Sequence, residues 1–315
     1  MELNENLIQR VNVGDTLTRS AAARPDRIAV VDSGRRWTYA ELESWANRLA
    51  HGLAARGYAR GDALALAAGN SAEFLAVYYA CAKMGVVCVP VNLGWKPEEV
   101  AYVLGHSRSR GVVVESQLVN GLSEAITKVS DVVDVIVAPG LGASYEAEPA
   151  DRTWSTLDAL PADDDSVPRV VVEDRDALTY LYTSGTTSFP KGVVASHLAI
   201  TMESMSAALD SGWNARDEFL AMMPMFHTAQ LNAFCTPAIL VGATIHVVRA
   251  FEPAAFLDTV EREAITQVFG LPMMYRAALE DPSFGSRDLS TLRRAVYAMA
   301  PMPDALIREC LERFG

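Results

Sequence analysis

Short, nearly continuous apolar runs separated by helical stretches constrain this chain most. Ala63-Leu64-Ala65-Leu66-Ala67-Ala68, Val86-Val87-Cys88-Val89, Gly111-Val112-Val113-Val114 and the run from Val132 to Val137 are too short for ordinary helices. A strand that is apolar on both faces must be covered on both faces, and the intervening segments can supply the covers. Thr38 with Glu41 three residues on forms a capping box, and Leu42, Trp45, Ala46, Leu49 and Leu53 follow at helical spacing up to a stop at Gly57. Asn70 or Ser71 caps a second helix ending near Gly85, and Pro97 suits the first turn of a third. The expectation is an α/β fold with mostly parallel sheets and helices on both faces.

The pattern resumes in the second half. Leu178 opens a strand, and Phe219–Met223, Thr244–Val248, Val268-Phe269 and Ala295–Tyr297 read as further strands. Ser196 caps a helix to about Ser211, and Pro253 begins another. Residues 139–175 break the alternation. They are rich in Ala, Pro, Asp and Glu, include Asp163-Asp164-Asp165, and read as a solvated connector. The expected division is therefore a first α/β subdomain over 1–175 with an acidic connector at its end, and a second over 176–315.

Within the second subdomain, the strand ending at Leu181 runs into Tyr182-Thr183-Ser184-Gly185-Thr186-Thr187-Ser188-Phe189-Pro190-Lys191-Gly192. Short side chains let backbone N–H groups converge on an anion, hydroxyls donate further hydrogen bonds, and a lysine supplies charge. That combination suits a nucleotide polyphosphate at the carboxyl edge of a sheet. A Walker A loop is excluded, because Pro190 stands where its second glycine belongs and Gly192 follows the lysine.

The loop resembles the Y-T-S-G-T-T-G-x-P-K-G signature of the adenylate-forming (ANL) superfamily, which includes acyl- and aryl-CoA ligases, luciferases and peptide-synthetase adenylation domains. Ser188 departs from it, standing where glycine is usual. Met223-Pro224-Met225-Phe226-His227 resembles the family's P-x-F-H motif, Gly270-Leu271-Pro272-Met273-Met274-Tyr275 its V-P-x-x-Y segment, and Trp37-Thr38-Tyr39-Ala40-Glu41-Leu42 its W-T-Y-x-E-L. Ala298-Met299-Ala300-Pro301-Met302 resembles G-A-A-P-L, with Ala298 in place of the first glycine. The resemblance implies an ANL-type N-terminal domain with two interleaved, mostly parallel sheets. The family continues to a Y-G-x-T-E motif and a small C-terminal domain with a catalytic lysine. Neither is present, so the chain reads as an N-terminal fragment that does not turn over alone.

The resemblance also implies roles. Lys191 and the N–H groups of Ser184, Gly185, Thr186 and Thr187 would hold the β- and γ-phosphates of ATP, and an oxygen of Thr183 would help position Mg²⁺. Ala298, Ala300 and Pro301 would border the adenine, and His227 would sit beside the substrate carboxylate. Thr228, Ala229, Ala233, Phe269, Leu271 and Met274 would line the acyl pocket with His227. Taken singly, Lys191 also reads as a solvated lysine, His227 as a turn histidine, and the pocket residues as core packing. The implied reaction is ATP-dependent conversion of a carboxylic acid, fatty or related, to acyl-AMP with pyrophosphate release. Thioester formation with coenzyme A would follow. An aryl- or cinnamoyl-type CoA ligase, an acyl-AMP ligase and an inactive nucleotide- or acyl-binding fragment are the alternatives.

Composition limits the partners. A chain of 315 residues, 50% hydrophobic, can bury a large core, and a net charge of −12 with no Lys/Arg-rich run disfavours nucleic acid. The N-terminus is polar and acidic rather than signal-like, and no apolar run approaches the roughly 18 residues of a transmembrane span. Cys81, Cys88, Cys235 and Cys310 show no C-x-x-C pairing, which suits free thiols in the cytoplasm. A homodimer is left open.

Overall fold

A computed structural model describes residues 2–145, 152–183 and 189–314. The first strands are β1 (Ile28–Asp32), β2 (Arg35–Thr38), β3 (Ala63–Ala67), β4 (Val87–Pro90), β5 (Ser109–Glu115), β6 (Asp134–Ala138) and β7 (Thr153–Thr156). They are followed by β8 (Ala177–Thr183), β9 (Lys191–Ser196), β10 (Glu218–Ala221), β11 (Thr244–Val247), β12 (Gln267–Gly270) and β13 (Arg294–Tyr297). The helices of the first half are α1 (Leu3–Gln9), α2 (Val13–Ala23), α3 (Tyr39–Ala55), α4 (Ala72–Met84), α5 (Pro97–His106) and α6 (Val119–Thr127). Those of the second are α7 (His197–Asp210), α8 (Thr236–Val241), α9 (Pro253–Arg262), α10 (Pro272–Glu280) and α11 (Asp304–Phe314).

The strands form two sheets. One has the order β13-β12-β10-β11-β1-β2 and the other β7-β6-β5-β3-β4-β8-β9. Pairing is parallel except at β1/β2 and β8/β9. The fold class is the expected one, but the expected division at 175/176 does not coincide with the sheets. The early hairpin β1–β2 joins the strands of the second half, while β8 and β9 complete the sheet of the first. The acidic connector also holds more structure than expected. Thr153–Thr156 pairs with β6 as an edge strand, and Leu157 and Val172 are buried.

Alternation along the strands explains the layering. Leu64 and Leu66 of β3 join one core cluster, while Ala63, Ala65 and Ala67 join another. Phe219 and Ala221 of β10 join that first cluster, and Leu220 joins a third. The shared cluster thus lies between the two sheets, filled by α2, α3, α4 and α8, and each sheet has its own outer cluster. Helices α5 and α6 cover one outer face, and α9, α10 and α11 the other. Helix α4 is buried at every position but Glu73, which is why its sequence is apolar all round rather than on one stripe. It begins at an Ser71 cap and ends at Gly85 in the left-handed conformation, φ 66°.

Several local expectations hold. Thr38 and Glu41 form the capping box of α3, and Ser196 caps α7 by accepting from the Ala199 N–H. Just inside α7, His197 is buried and its Nδ1 accepts from the Val13 N–H at 3.2 Å. Its Nε2 is buried without a hydrogen-bond partner. Burial pulls its pKa down from 6.5 to about 4. The unfolded chain therefore binds a proton that the native state refuses as pH falls through this window, and stability declines between about pH 6.5 and pH 4. A shift of this size corresponds to about 3 kcal/mol. Urea unfolding at pH 7 and pH 4 should show His197→Asn losing less stability on acidification than the wild type, by up to that amount. Equal losses would refute it.

Candidate active site

Strands β8 and β9 form an antiparallel hairpin whose last pair places Thr183 opposite Lys191. The connection between them contains Ser184, Gly185, Thr186 and Thr187, which lie outside the described residues together with Ser188. Lys191 is exposed, and among the described residues no carboxylate pairs with it. The adjacent Gly192 pairs with Tyr182, and a Cβ on Gly192 would meet the Tyr182 ring at 3.1 Å. Glycine therefore lets that ring lie across the neighbouring strand.

The far foot of the loop is anchored by rings. Phe189 stacks on Tyr102 with centroids 4.7 Å apart, and Tyr102 stacks on His106 at 5.3 Å. His106 Nδ1 in turn lies 2.7 Å from the Tyr182 hydroxyl. This aromatic ladder joins both ends of the hairpin to α5. The ladder was not foreseen from the sequence. Tyr102 and His106 at i and i+4 on α5 were the available signal.

His227 arrives from the other sheet. Strand β10 ends at Ala221, and the segment after it turns so that the His227 N–H donates to the Pro224 carbonyl at 3.1 Å. The Leu231 N–H then donates to the His227 carbonyl at 3.2 Å and opens a π-helix over Ala229–Cys235. Such wide turns recur at functional sites. This one was not legible, because an apolar pattern does not distinguish periods of 3.6 and 4.4. Gln230, fully buried in it, accepts from the Met223 N–H at 3.0 Å. Asn232 accepts from the Tyr78 hydroxyl at 3.0 Å and donates to Thr228 Oγ1 at 3.1 Å.

Between the hairpin and the His227 turn lies a cavity of about 430 Å³. His227, Thr228, Ala229 and Phe269, named above as acyl-pocket candidates, line it, and so does Thr183, named above for ATP and Mg²⁺. Leu181, Val193, Ala195, Met223, Gln230 and Met299 also line it and were not foreseen. The remaining expected residues sit elsewhere. Met274 packs against the outer cluster containing Leu220 and Met222, so it lies on the opposite face of the sheet. Leu271 donates its N–H to Met274 Sδ at the start of α10. Ala233 is half-buried and does not line the cavity. Ala300 and Pro301 are exposed, and Ala298 packs against the central core beside Met299, whose side chain reaches the cavity. Among the described residues no group of three or more His, Cys, Asp or Glu side chains could hold a metal.

The arrangement offers an imidazole and apolar side chains lining one cavity, with an exposed lysine paired across the hairpin from Thr183 at its edge. The comparison with known proteins decides what it belongs to. A family profile described as AMP-binding enzyme matches residues 17–315. This chain is a member of that family.

Its relatives divide by substrate. It is 33% identical to a feruloyl-CoA synthase of an Amycolatopsis species over 96% of its own length and 57% of the relative's. It is 33% identical to a long-chain-fatty-acid–CoA ligase of Thermus thermophilus over 98% of its length and 56% of the relative's. The chain thus spans less than two thirds of these curated relatives. The solved N-terminal domain of FACL13 from Mycobacterium tuberculosis, with inhibitor bound, superimposes with a TM-score of 0.85 at 31% identity. That match covers 96% of this chain and 73% of the other.

His227 is partly exposed, and the desolvation of its half-buried ring lowers its pKa from the ordinary value of 6.5, which favours the neutral ring. Nitrogen-15 spectra of the histidine rings across pH 5 to 8 should place the His227 midpoint below 6.5. A midpoint above 7 would contradict the structure.

Proposed function

We propose that the protein activates a carboxylic acid by adenylation, with coenzyme A as the subsequent acceptor. The observation that carries this reading is that Thr183, whose strand partner is Lys191, and His227, which comes from the other sheet, both line one apolar cavity. The carboxylate oxygen attacks the α-phosphorus of ATP, and pyrophosphate leaves with the electron pair of the broken P–O bond. Both reactants are anions, so the protein must hold like charges together and stabilise charge as it develops. On a chain of net charge −12, that falls to local groups.

Lys191 supplies the cation for the β- and γ-phosphates, and the N–H groups of residues 184–187 supply donors. Mg²⁺, held in part through Thr183, would neutralise phosphate charge. The Met299 side chain and the backbone from Ala298 to Pro301 border the adenine. His227, neutral, donates a hydrogen bond to the carboxylate without adding a charge that would bind the acid too tightly in the ground state. Leu181, Val193, Ala229 and Phe269 receive the apolar part of the acid. Feruloyl and fatty acyl relatives at equal identity support both aromatic and aliphatic acids as candidates. The four cysteines are free, and no helix among the described residues is long and apolar enough to cross a membrane, which fits a cytoplasmic reaction.

Thermal unfolding with non-hydrolysable acyl-adenylate analogues, from acetyl through long-chain to aryl, tests the reading. Ligand at 100 times its Kd should stabilise by about 2.7 kcal/mol. A shift for one acyl class identifies the substrate type, and no shift for any analogue refutes an acyl-adenylate site in this chain. Lys191→Ala should slow adenylation by a factor on the order of 100 while changing stability by less than about 0.5 kcal/mol. His227→Ala should slow the same step at saturating acid by about tenfold or more. Unchanged pyrophosphate release in either variant would remove that residue from the mechanism.

A further inference from the structure

Asn70, between β3 and α4, is 3% exposed. Its Nδ2 donates to the Met223 carbonyl at 2.8 Å and to the Val248 carbonyl at 3.1 Å. Its Oδ1 accepts from the Met225 N–H at 2.8 Å. Both amide protons and the amide oxygen are therefore engaged. β3 belongs to the seven-stranded sheet, whereas Met223 and Met225 follow β10, and Val248 follows β11, in the six-stranded sheet. One side chain thus ties two strand ends of one sheet to a strand end of the other. Gln230 holds the Met223 N–H from the opposite side, so the turn leading to His227 is gripped by two buried amides.

Two further ties run along the same edge. Asp32 at the end of β1 accepts from the Ala72 N–H at 2.9 Å, and Arg249 pairs with the buried Glu115 at 2.5 Å. Neither touches the turn. Asn70 is the tie that bonds directly to the segment carrying the histidine.

We propose that Asn70 is a positioning residue for adenylation, setting the height of the Met223–His227 turn against the β8–β9 hairpin. This rests on the function proposed above. The hairpin carries the phosphate half of the site in one sheet and the turn carries the acid half in the other. Attack requires the carboxylate oxygen about 3–3.5 Å from phosphorus, and a misplacement of about 1 Å can cost 100-fold. Apolar packing between the sheets is non-directional. Three hydrogen bonds from one planar amide are directional and fix the relative height.

The test uses Asn70→Asp, which keeps the size but removes both donors and sets a carboxylate against two carbonyls. The core truncation Leu53→Ala, near the end of α3, is the control for general destabilisation. Titration calorimetry with an acyl-sulfamoyl-adenosine should show Asn70→Asp binding about tenfold or more weakly than wild type, with Leu53→Ala unchanged. In ¹⁵N-histidine spectra of the ligand-free chain, Asn70→Asp should move the His227 ring signals and leave His51 in place. The His227 signals are assigned by their loss in His227→Ala. Unchanged affinity, an unmoved His227, or an equal loss in Leu53→Ala overturns the proposal. If the wild type binds no analogue, the functional reading fails on its own, and the His227 signals decide whether Asn70 positions the turn.

Discussion

Everything in this fold depends on the layer of helices shared by the two sheets. Helix α4 is buried between the two sheets, touching β1 of one and β4 of the other, and α3 packs against it, so neither sheet can move without disturbing the central core. Close packing makes that layer stiff. Its one buried ammonium shows how tightly the interior is specified. Lys83, 1% exposed, donates to Glu43 at 2.8 Å and to Thr18 at 2.7 Å, joining α4 to α3 and α2. Burial pulls the lysine pKa down and the Glu43 carboxylate opposes that fall. Such a pair adds little net stability, but removing one partner alone would strand a buried charge.

Because the layer is rigid, the carboxyl ends of strands from both sheets face a common crevice. Parallel strands place ligand sites at that edge. Two sheets contributing to one crevice can bring groups from distant parts of the sequence together: Asn70 from β3, Thr183 from β8 and His227 after β10. The chemistry proposed here needs this, since an acid and a nucleotide must be gripped separately and then brought into contact. A cavity with apolar walls and few polar groups strengthens each electrostatic contact within it.

The alternation of short apolar runs with capped helices made the fold class legible, and the dense hydroxyl and glycine loop carried the resemblance to the family. The interleaving of the sheets was not. Nothing local in Ile28–Asp32 says that it pairs with Thr244–Val247, more than 200 residues away, rather than with its neighbours. β2 was missed for a related reason. Arg35-Arg36-Trp37-Thr38 is polar and half-exposed, and its pairing partner β1 supplies the apolar face. β7 lay inside an acidic stretch whose composition masked an edge strand. In the candidate site, the residue singled out by a motif match, His227, does line the cavity. Residue-type matching failed for Met274 and Ala233, because a helix or π-turn sends neighbouring side chains to different faces.

The departure at Ala298 illustrates the difference between a motif and a conformation. Glycine at that position in the family pattern suggests a backbone that a Cβ would strain. Yet the left-handed residue is the next one, Met299, with φ 69°, while Ala298 is absent from the positive-φ residues. The side chain at 298 is therefore tolerated without backbone cost and packs against the central core. The strain falls on Met299, which is 68% exposed and lines the cavity. Left-handed geometry costs a non-glycine residue roughly 1–2 kcal/mol and persists only where the surroundings hold it. Here the surroundings are the end of β13, paired in parallel with β12, which fixes the chain up to Tyr297 and leaves the turn to absorb the change of direction. Alanine at 298 therefore leaves the backbone of the turn unchanged.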